Sequence, residues 1–287
     1  MTKKIIMELV EVSCYNCGGK EYELYATENG FRYVKCKNCG LVYLNPRPKD
    51  VEVISSHEYG VHIGNKVINV TGRYKKSKIK RYLSIIGDFY TKEELIDKKW
   101  LDIGCGFGEF IETLNKVANN NIYVKGSELN KIKINFCKER GLDVEKIDMK
   151  NHNEKYDVIS LLNIFSHLPN PIQYFESLKK NLRTRGELFI ETGNISNMPA
   201  KYFPRPFYAP DHLSFANKEI VEDILKRIGF EIVKTKLYRG ELYPKISDIR
   251  GSVVLAAKSV VKYKDGRFRN FFPKYPNIDM FIRAKLK

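Results

Sequence analysis

Apolar and polar positions follow two alternating patterns from about residue 75 onward. Short apolar runs predict buried strands, and stretches with apolar residues every three or four positions predict amphipathic helices. The predicted strands are 99–103, 122–127, 143–147, 156–162, 187–191, 230–237 and 280–285. The predicted helices are 75–90, 109–117, 131–140, 172–182 and 218–228. This alternation is typical of parallel βαβ units and predicts an α/β fold with a doubly wound sheet.

The first part of the chain has a different pattern, with paired cysteines, aromatic residues and short strand-like runs. We predict a small unit at 1–48, an irregular connector at 49–74 and the α/β domain at 75–287. Within that domain, insertions or cap segments are expected at about 195–215 and 239–277. The length of 287 residues fits one large domain with a small appendage.

Composition and net charge indicate where in the cell the protein is expected and which classes of molecule could bind it. Because no apolar run reaches the roughly 18–20 residues of a membrane span, and the start is charged too early for a secretory signal, we expect a cytoplasmic protein. The net charge of +16 makes polyanions plausible partners, although solvated surface lysines give the same value.

Four cysteines form two Cys-x-x-Cys-Gly turns, and they are Cys14, Cys17, Cys36 and Cys39. Two such turns can point four thiolates at one ion. Four thiolates leave no open coordination position, which favours Zn²⁺ in a structural role. A unit of this size also needs such a staple, because it cannot bury enough core alone. The prediction is a zinc ribbon at 1–48.

The segment Gly-Cys-Gly-Phe-Gly at 104–108 follows a predicted strand and opens a predicted helix. Glycines there let the backbone turn tightly and approach a ligand. A dinucleotide motif would need glycine at the position of Glu109, and the Gly-Lys-Ser/Thr of a phosphate loop is absent. An acid at the helix start disfavours a pyrophosphate but tolerates a sulfonium cofactor with a zwitterionic tail.

Two further acids follow the next two predicted strands. Glu128 can accept hydrogen bonds from both ribose hydroxyls of an adenosine, and Asp148 can face the adenine edge. Either acid alone would be read equally as a helix cap or a solvated loop residue. Together with the turn they indicate a site for S-adenosylmethionine.

Residues from about 75 to 287 resemble class I S-adenosylmethionine-dependent methyltransferases, through the segments 101–108, 156–163 and 182–191. The resemblance implies a Rossmann-like sheet of seven strands in the order 3-2-1-4-5-7-6, with the last strand antiparallel. It implies that Asp102 and the turn face the methionine part, Leu129 lines the adenine pocket and Asn163 lies near the methyl-transfer centre. The predicted cofactor residues are therefore Asp102, Gly104, Cys105, Gly106, Gly108, Glu128, Leu129, Asp148 and Asn163.

A zinc ribbon ending in 39–48, followed by such a domain and by the segment 209–215, resembles bacterial methyltransferases of cell-surface sugar and natural-product pathways. That resemblance implies a small-molecule acceptor. The segment 163–166 lacks the Asn/Asp-Pro-Pro-aromatic motif of methyltransferases acting on planar amines. Oxygen or carbon acceptors are therefore favoured.

Two histidines are candidate general bases, because imidazole titrates near neutral pH. His212 follows a proline- and aromatic-rich loop after the fifth predicted strand of the domain, and His167 follows the fourth. A single histidine is more often a hydrogen-bonded structural residue, and the loop position of His212 makes it the stronger candidate base of the two. Asp211 adjoins His212, but adjacency alone does not make it the partner of that ring.

Two alternative functions remain open at this point. An rRNA or tRNA methyltransferase would use the ribbon and the basic helix start at 75–81 to bind RNA. A non-catalytic protein would keep the zinc-stabilised fold only for interactions. The oligomeric state and the identity of the acceptor are not readable from the sequence.

Overall fold

The computed structural model describes residues 3–4, 8–49, 61–63, 66–68, 72–203, 206–238 and 278–287. The predicted insertion at about 239–277 and most of the predicted connector lie outside these residues. The strands are β1 Lys3–Lys4, β2 Leu9–Val10, β3 Tyr22–Glu28, β4 Phe31–Cys36, β5 Val42–Leu44, β6 Arg47–Pro48, β7 Val61–Ile63, β8 Lys66–Ile68, β9 Lys99–Ile103, β10 Tyr123–Ser127, β11 Val144–Glu145, β12 Tyr156–Leu162, β13 Leu182–Gly193, β14 Ser214–Phe215, β15 Phe230–Tyr238 and β16 Asp279–Leu286. The helices are α1 Lys76–Phe89, α2 Lys92–Leu95, α3 Glu109–Val117, α4 Lys131–Glu139, α5 Pro171–Leu178 and α6 Lys218–Arg227.

Seven strands form the central sheet, in the order β11-β10-β9-β12-β13-β16-β15. Numbered by their order along the chain within this sheet, they run 3-2-1-4-5-7-6. β16 pairs antiparallel with both β13 and β15, whereas β9 to β13 pair in parallel. The prediction of a doubly wound α/β sheet with this strand order is confirmed.

The middle of the sheet is buried on both faces, as parallel strands between helices require. Trp100 on β9 is fully buried, and its ring meets those of Phe110 on α3 and Phe189 on β13 edge-on. α1 covers this region with Tyr82 and Phe89, which alternate with exposed lysines on its other face. The apolar spacing that predicts α1 is therefore its core-facing stripe.

Some element bounds differ from the sequence prediction. The third strand of the sheet, predicted at 143–147, is only Val144–Glu145, because it lies at the sheet edge and pairs on one side. The fifth, predicted at 187–191, extends over Leu182–Gly193, because β12 and β16 pair with it on both sides. The helix predicted at 172–182 ends as α-helix at Leu178 and continues as one 3₁₀ turn to Asn181.

The cysteine-rich unit and the segment before α6 share one sheet. β3, β4 and β5 form an antiparallel meander, and β14 adds to β5 as a fourth strand. Tyr33 of the meander packs against Phe207 and Phe215 of the later segment, with ring centroids 5.2 and 5.3 Å apart. The two parts of the chain therefore have a common hydrophobic core.

Among the helices that the structure describes, none combines the length and the apolar character that crossing a membrane would require.

Candidate cofactor and acceptor site

The glycine-rich turn leaves the carboxyl end of β9 and leads into α3. Gly104, Gly106 and Gly108 have φ angles of 70°, 60° and 80°, in the left-handed region that favours glycine. A Cβ at Gly104 would lie 2.2 Å from Cδ1 of Ile164, so a side chain there would also clash. Gly108 is the N-cap residue of α3 and orients that helix toward the turn. A Cβ at Gly106 would meet nothing within 4 Å, so the backbone of the turn is open to a ligand at that position.

A cavity of about 370 Å³ lies over the turn, at the carboxyl ends of the central strands. This is the edge at which open α/β sheets bind their ligands. A second cavity of about 280 Å³ adjoins it and shares the walls Gly104, Gly106 and Asn163. We call them the larger and the smaller cavity.

Glu128 bridges the turn and the loop that follows β10. Its side chain is buried; Oε2 accepts from the Gly106 N–H at 2.9 Å, and Oε1 accepts from the N–H groups of Leu129 and Asn130 at 2.8 and 3.0 Å. The carboxylate also lines the larger cavity. A carboxylate has about four lone-pair positions, so these three bonds leave one for a ligand. Glu128 thus shapes the turn as well as facing the cavity.

Asp102 lies at the wall of the smaller cavity and is almost fully buried. Ser160 donates a hydrogen bond to its Oδ1 at 2.6 Å, and Trp100 donates from Nε1 to the Ser160 oxygen at 2.8 Å. Burial raises the pKa of Asp102 to about 7, against the lowering effect of the Ser160 hydrogen bond. The cations Lys75 and Lys78 line the same cavity. The smaller cavity therefore presents both signs of charge.

The other predicted cofactor residues fall into two groups. Leu129 and Asn163 line the larger cavity, Asn163 also lines the smaller, and Cys105 lines the smaller. Asp148, by contrast, is exposed and lines neither. Its carboxylate accepts hydrogen bonds from the Lys150 N–H and the Asn151 side-chain amide, at 3.1 and 2.7 Å, and so caps its own turn.

Apolar residues occupy the place expected for Asp148. Ile147 and Met149, on either side of it, line the larger cavity. The sequence carries a signal for them, because an aspartate between two apolar residues in a turn points away from the face that they cover. Apolar walls also suit the faces of an adenine ring.

His167 ends a 3₁₀ turn, Phe165–His167, that follows β12, and it lines the larger cavity. Its Nδ1 lies 3.0 Å from the backbone carbonyl oxygen of Asp211 and 3.4 Å from the carboxylate Oδ1 of that residue. A carbonyl only accepts, so Nδ1 carries the proton and Nε2 is left as an acceptor. Asp211 is therefore the orienting partner of His167, a pairing that adjacency in the sequence does not reveal.

His212 lies behind His167 and lines neither the larger nor the smaller cavity. The two imidazoles meet edge to face, with centroids 4.7 Å apart and an interplanar angle of 82°. Burial, together with the nearby His167, lowers the pKa of His212 to about 3. A neutral ring with so low a pKa is a weak base, so the geometry favours His167 over His212 for proton transfer.

The cysteine-rich unit holds the loop that carries Asp211 and His212. The Glu28 carboxylate accepts hydrogen bonds from the N–H groups of Phe207 and Ala209, at 2.9 and 3.0 Å. Asn29 donates from its side-chain amide to the carbonyl of Ala209 at 2.9 Å. These contacts bridge the tip of the β3–β4 hairpin to the loop.

The four cysteines of the two turns come together. Their sulfur atoms all lie within 4.8 Å of one another, and the pairs Cys14–Cys39 and Cys17–Cys36 are each 3.5 Å apart. The hydrogen bond between Cys14 and Cys39 lowers the pKa of Cys39 to about 4 and raises that of Cys14. Four sulfurs at 2.3 Å from a tetrahedral ion would be roughly 3.8 Å apart, so this donor set fits such an ion.

Comparison with known proteins places this architecture in a family. A family model described as a methyltransferase domain matches residues 74–235. The chain is 32% identical over 113 residues to a ubiquinone biosynthesis O-methyltransferase of Glaesserella parasuis, covering 35% of this chain and 47% of that protein. It is 26% identical over 161 residues to the protein of that name from Marinobacter nauticus, covering 45% and 66%. The chain thus spans about half the length of most curated relatives that it matches.

Solved structures have the same fold. A SAM-dependent methyltransferase from Archaeoglobus fulgidus has a TM-score of 0.50 and 21% identity, over 74% of this chain and 94% of that one. A mycolic acid cyclopropane synthase complexed with SAH also has a TM-score of 0.50, with 16% identity, over 73% and 84%. At these identities the likeness concerns the fold alone. Together with the family match and the strand order, it shows that the chain belongs to the methyltransferase-domain family, with the class I fold of S-adenosylmethionine-dependent methyltransferases.

Proposed function

We propose that this protein transfers a methyl group from S-adenosylmethionine to an oxygen or carbon atom of a small molecule. The observation that carries the proposal is that the glycine-rich turn and the oriented His167 line one cavity. A methyl donor held by the turn and an acceptor held at His167 would therefore meet without crossing solvent. Alignment and the exclusion of water are the main tasks in such a displacement.

The residues present fit the cofactor by their chemistry. The smaller cavity offers Asp102 to an ammonium group and Lys75 and Lys78 to a carboxylate, which suits a zwitterionic methionine tail. In the larger cavity, Glu128 has one lone-pair position for a ribose hydroxyl, and Leu129 and Met149 offer apolar walls to the adenine. When bound, the sulfonium supplies the electrophilic methyl carbon.

The chain itself supplies the proton acceptor. Nε2 of His167 would take the proton of an acceptor hydroxyl as the oxygen attacks, and the carboxylate of Asp211 would stabilise the imidazolium that forms. His212, packed against His167, would keep that ring in place and shielded from water. For a carbon acceptor, the same base would remove a proton from the carbon next to a carbonyl group.

We further propose an acceptor from a sugar or natural-product pathway. The resemblance of 39–48 and 209–215 to that group supports it, and both segments lie beside the His167 region through β5 and β14. The curated relatives are named O-methyltransferases, which supports oxygen as the methylated atom. We also propose that Cys14, Cys17, Cys36 and Cys39 hold a structural Zn²⁺ ion.

Calorimetry followed by a transfer assay tests the proposed activity. The full chain is titrated with S-adenosylhomocysteine, then incubated with methyl-labelled S-adenosylmethionine and separate pools of sugars, phenols and RNA. Binding of S-adenosylhomocysteine with label in a small-molecule pool is the expected result. Label in RNA alone would establish a nucleic-acid methyltransferase instead. Absence of S-adenosylhomocysteine binding would leave the fold as a non-catalytic interaction protein.

A further inference from the structure

A third cavity lies between the cysteine-rich unit and the start of α5. Its volume is about 490 Å³. Tyr15, Tyr43 and Arg47 form one wall, and Leu168 and Asn170 contribute to the other. We call it the ribbon cavity.

Arg47 brings a positive charge to the ribbon cavity. Its guanidinium is partly buried and donates one hydrogen bond, from Nη1 to the carbonyl of Pro169 at 2.7 Å. Burial lowers the pKa of Arg47. Within the part of the chain that the structure describes, no carboxylate pairs with it, and no aspartate or glutamate lines the cavity. The remaining N–H groups of the guanidinium can therefore bind an anionic ligand.

One other feature of the wall favours a ligand rich in hydrogen-bond acceptors. The N-cap residue of α5, Asn170, also lines the cavity, so the positive end of that helix lies there.

The ribbon cavity adjoins the proposed site of methyl transfer. Leu168 and Pro169, which directly follow His167, line both it and the larger cavity. A molecule seated in the ribbon cavity would therefore have its other end near the proposed base.

We infer that the ribbon cavity binds a phosphate group of the methyl acceptor, with Arg47 as its charged ligand. The inference rests on the proposed function and specifies its acceptor as a phosphate ester. Four guanidinium N–H groups beyond the one used by Pro169 can donate to phosphate oxygens. The apolar side chains of Val12, Leu44 and Leu213 line the same cavity and can contact the esterified carbon group.

One competing role for Arg47 comes from the cysteines. Cys14 also lines the ribbon cavity, and a four-thiolate metal site carries net negative charge. If Arg47 served only to balance that charge, its loss would release metal and leave phosphate binding unchanged. If Arg47 binds the phosphate, by contrast, its loss should weaken phosphate binding and leave the metal in place.

The test uses the full metal-loaded chain with phenyl phosphate and inorganic phosphate as calorimetric probes, each with and without S-adenosylhomocysteine. We expect phenyl phosphate to bind more tightly than inorganic phosphate, because the ester group meets the apolar wall. Arg47→Met should weaken phenyl phosphate binding by about tenfold or more, because a charge-assisted hydrogen bond is lost, with metal content retained. Arg183→Met, which breaks only the surface pair with Asp157, should have no effect.

Arg47→Gln keeps the test decisive if Arg47→Met does not fold. It keeps a side-chain donor for the Pro169 carbonyl and removes the charge, so phenyl phosphate binding should weaken severalfold with metal content retained. Unchanged phenyl phosphate affinity in both variants would overturn the inference. So would inorganic phosphate binding as tightly as the ester, which would indicate a site for the free anion. Loss of S-adenosylhomocysteine binding alone would refute the proposed function, since the phosphate titrations are also made without it.

Discussion

Tyr33 donates a hydrogen bond from its hydroxyl to the backbone carbonyl of His212, over 2.7 Å. Tyr33 lies on β4 of the cysteine-rich unit and is fully buried, and His212 lies 179 positions later beside the proposed base. The bond therefore fixes the backbone next to Asp211, whose carbonyl and carboxylate orient His167. A residue of the cysteine-rich unit thus takes part in the geometry of the proposed acceptor side.

Tyr33→Phe should lower turnover severalfold and leave S-adenosylhomocysteine affinity unchanged. The lost hydrogen bond is worth about 1 kcal/mol and positions only the acceptor side. Tyr25→Phe is the matched control, because Tyr25 on β3 donates a similar bond to the carbonyl of Met198 at 2.6 Å, away from the histidines. Turnover and calorimetry on both variants give the comparison. An equal loss of turnover in Tyr25→Phe would mean that the effect is general to the interface.

Glu128→Ala should weaken S-adenosylhomocysteine binding by about tenfold or more. It removes a charged acceptor facing the ligand and the bond that holds the Gly106 N–H. Asp148→Asn should leave affinity unchanged, because the Asp148 side chain caps an exposed turn outside the cavity. Calorimetry gives the dissociation constant of S-adenosylhomocysteine for both variants. A larger loss of affinity in Asp148→Asn than in Glu128→Ala would restore Asp148 as the acid that faces the adenine.

Cofactor binding should weaken as the pH falls below about 7. Burial raises the pKa of Asp102 in the free protein to about 7, so its side chain is mainly protonated below that pH. An ammonium group prefers the carboxylate, and binding must then displace the proton. Affinity should therefore decline by up to about tenfold per pH unit from pH 7 to 5. Titrations of S-adenosylhomocysteine at several pH values should show this slope in the wild type and a flatter one in Asp102→Asn.

His167→Ala should lower turnover by about 10²- to 10⁴-fold, the usual contribution of a positioned base, with cofactor affinity within twofold of wild type. His212→Ala should cost less, because that ring acts only by holding His167. His152→Ala is the control, since His152 bonds Tyr156 away from the cavities. The measurement is the single-turnover rate of methyl transfer in each of the three variants. A larger loss in His212→Ala than in His167→Ala would make His212 the base.

The purified chain should contain about one Zn²⁺ ion, and Cys17→Ser should contain almost none. Cys17 is chosen because it is the exposed member of the four, so its replacement costs little packing. Melting temperature should fall in the variant, because Cys14 and Cys36 belong to the core cluster that also contains residues of the central sheet. Elemental analysis and thermal denaturation measure both. A wild-type chain without zinc, whose melting temperature equals that of Cys17→Ser, would contradict the zinc proposal.

The central sheet was the part most accessible from the sequence. Its central strands contain short apolar runs, and the glycines at 104–108 have positive φ angles that few other residues adopt. The two cysteine turns were equally readable: Gly18 and Gly40 follow them with positive φ, and their N–H groups donate to the carbonyls of Cys14 and Cys36.

Contacts between distant segments were not accessible in this way. The partner of His167 is 44 positions away, and local spacing favours no particular pairing over that distance. The addition of β14 to β5 likewise joins Ser214 to Tyr43, in strands too short to carry an alternating pattern. Asp148 was expected at the cavity because it follows a strand, but the short β11 ends earlier and the side chain caps the turn instead.

The shared sheet of β5 and β14 has a consequence for directed evolution. The walls that face the proposed donor come from residues 72–82 and 102–163, whereas much of the wall on the acceptor side comes from residues 12–47 and from the segment beside β14. Libraries confined to residues 12–18 and 43–47 would therefore vary which molecules are methylated while the donor pocket stays intact. A truncation that deletes the cysteine-rich unit together with β5 would instead expose an unpaired strand edge at Ser214 and Phe215 and abolish turnover together with selectivity.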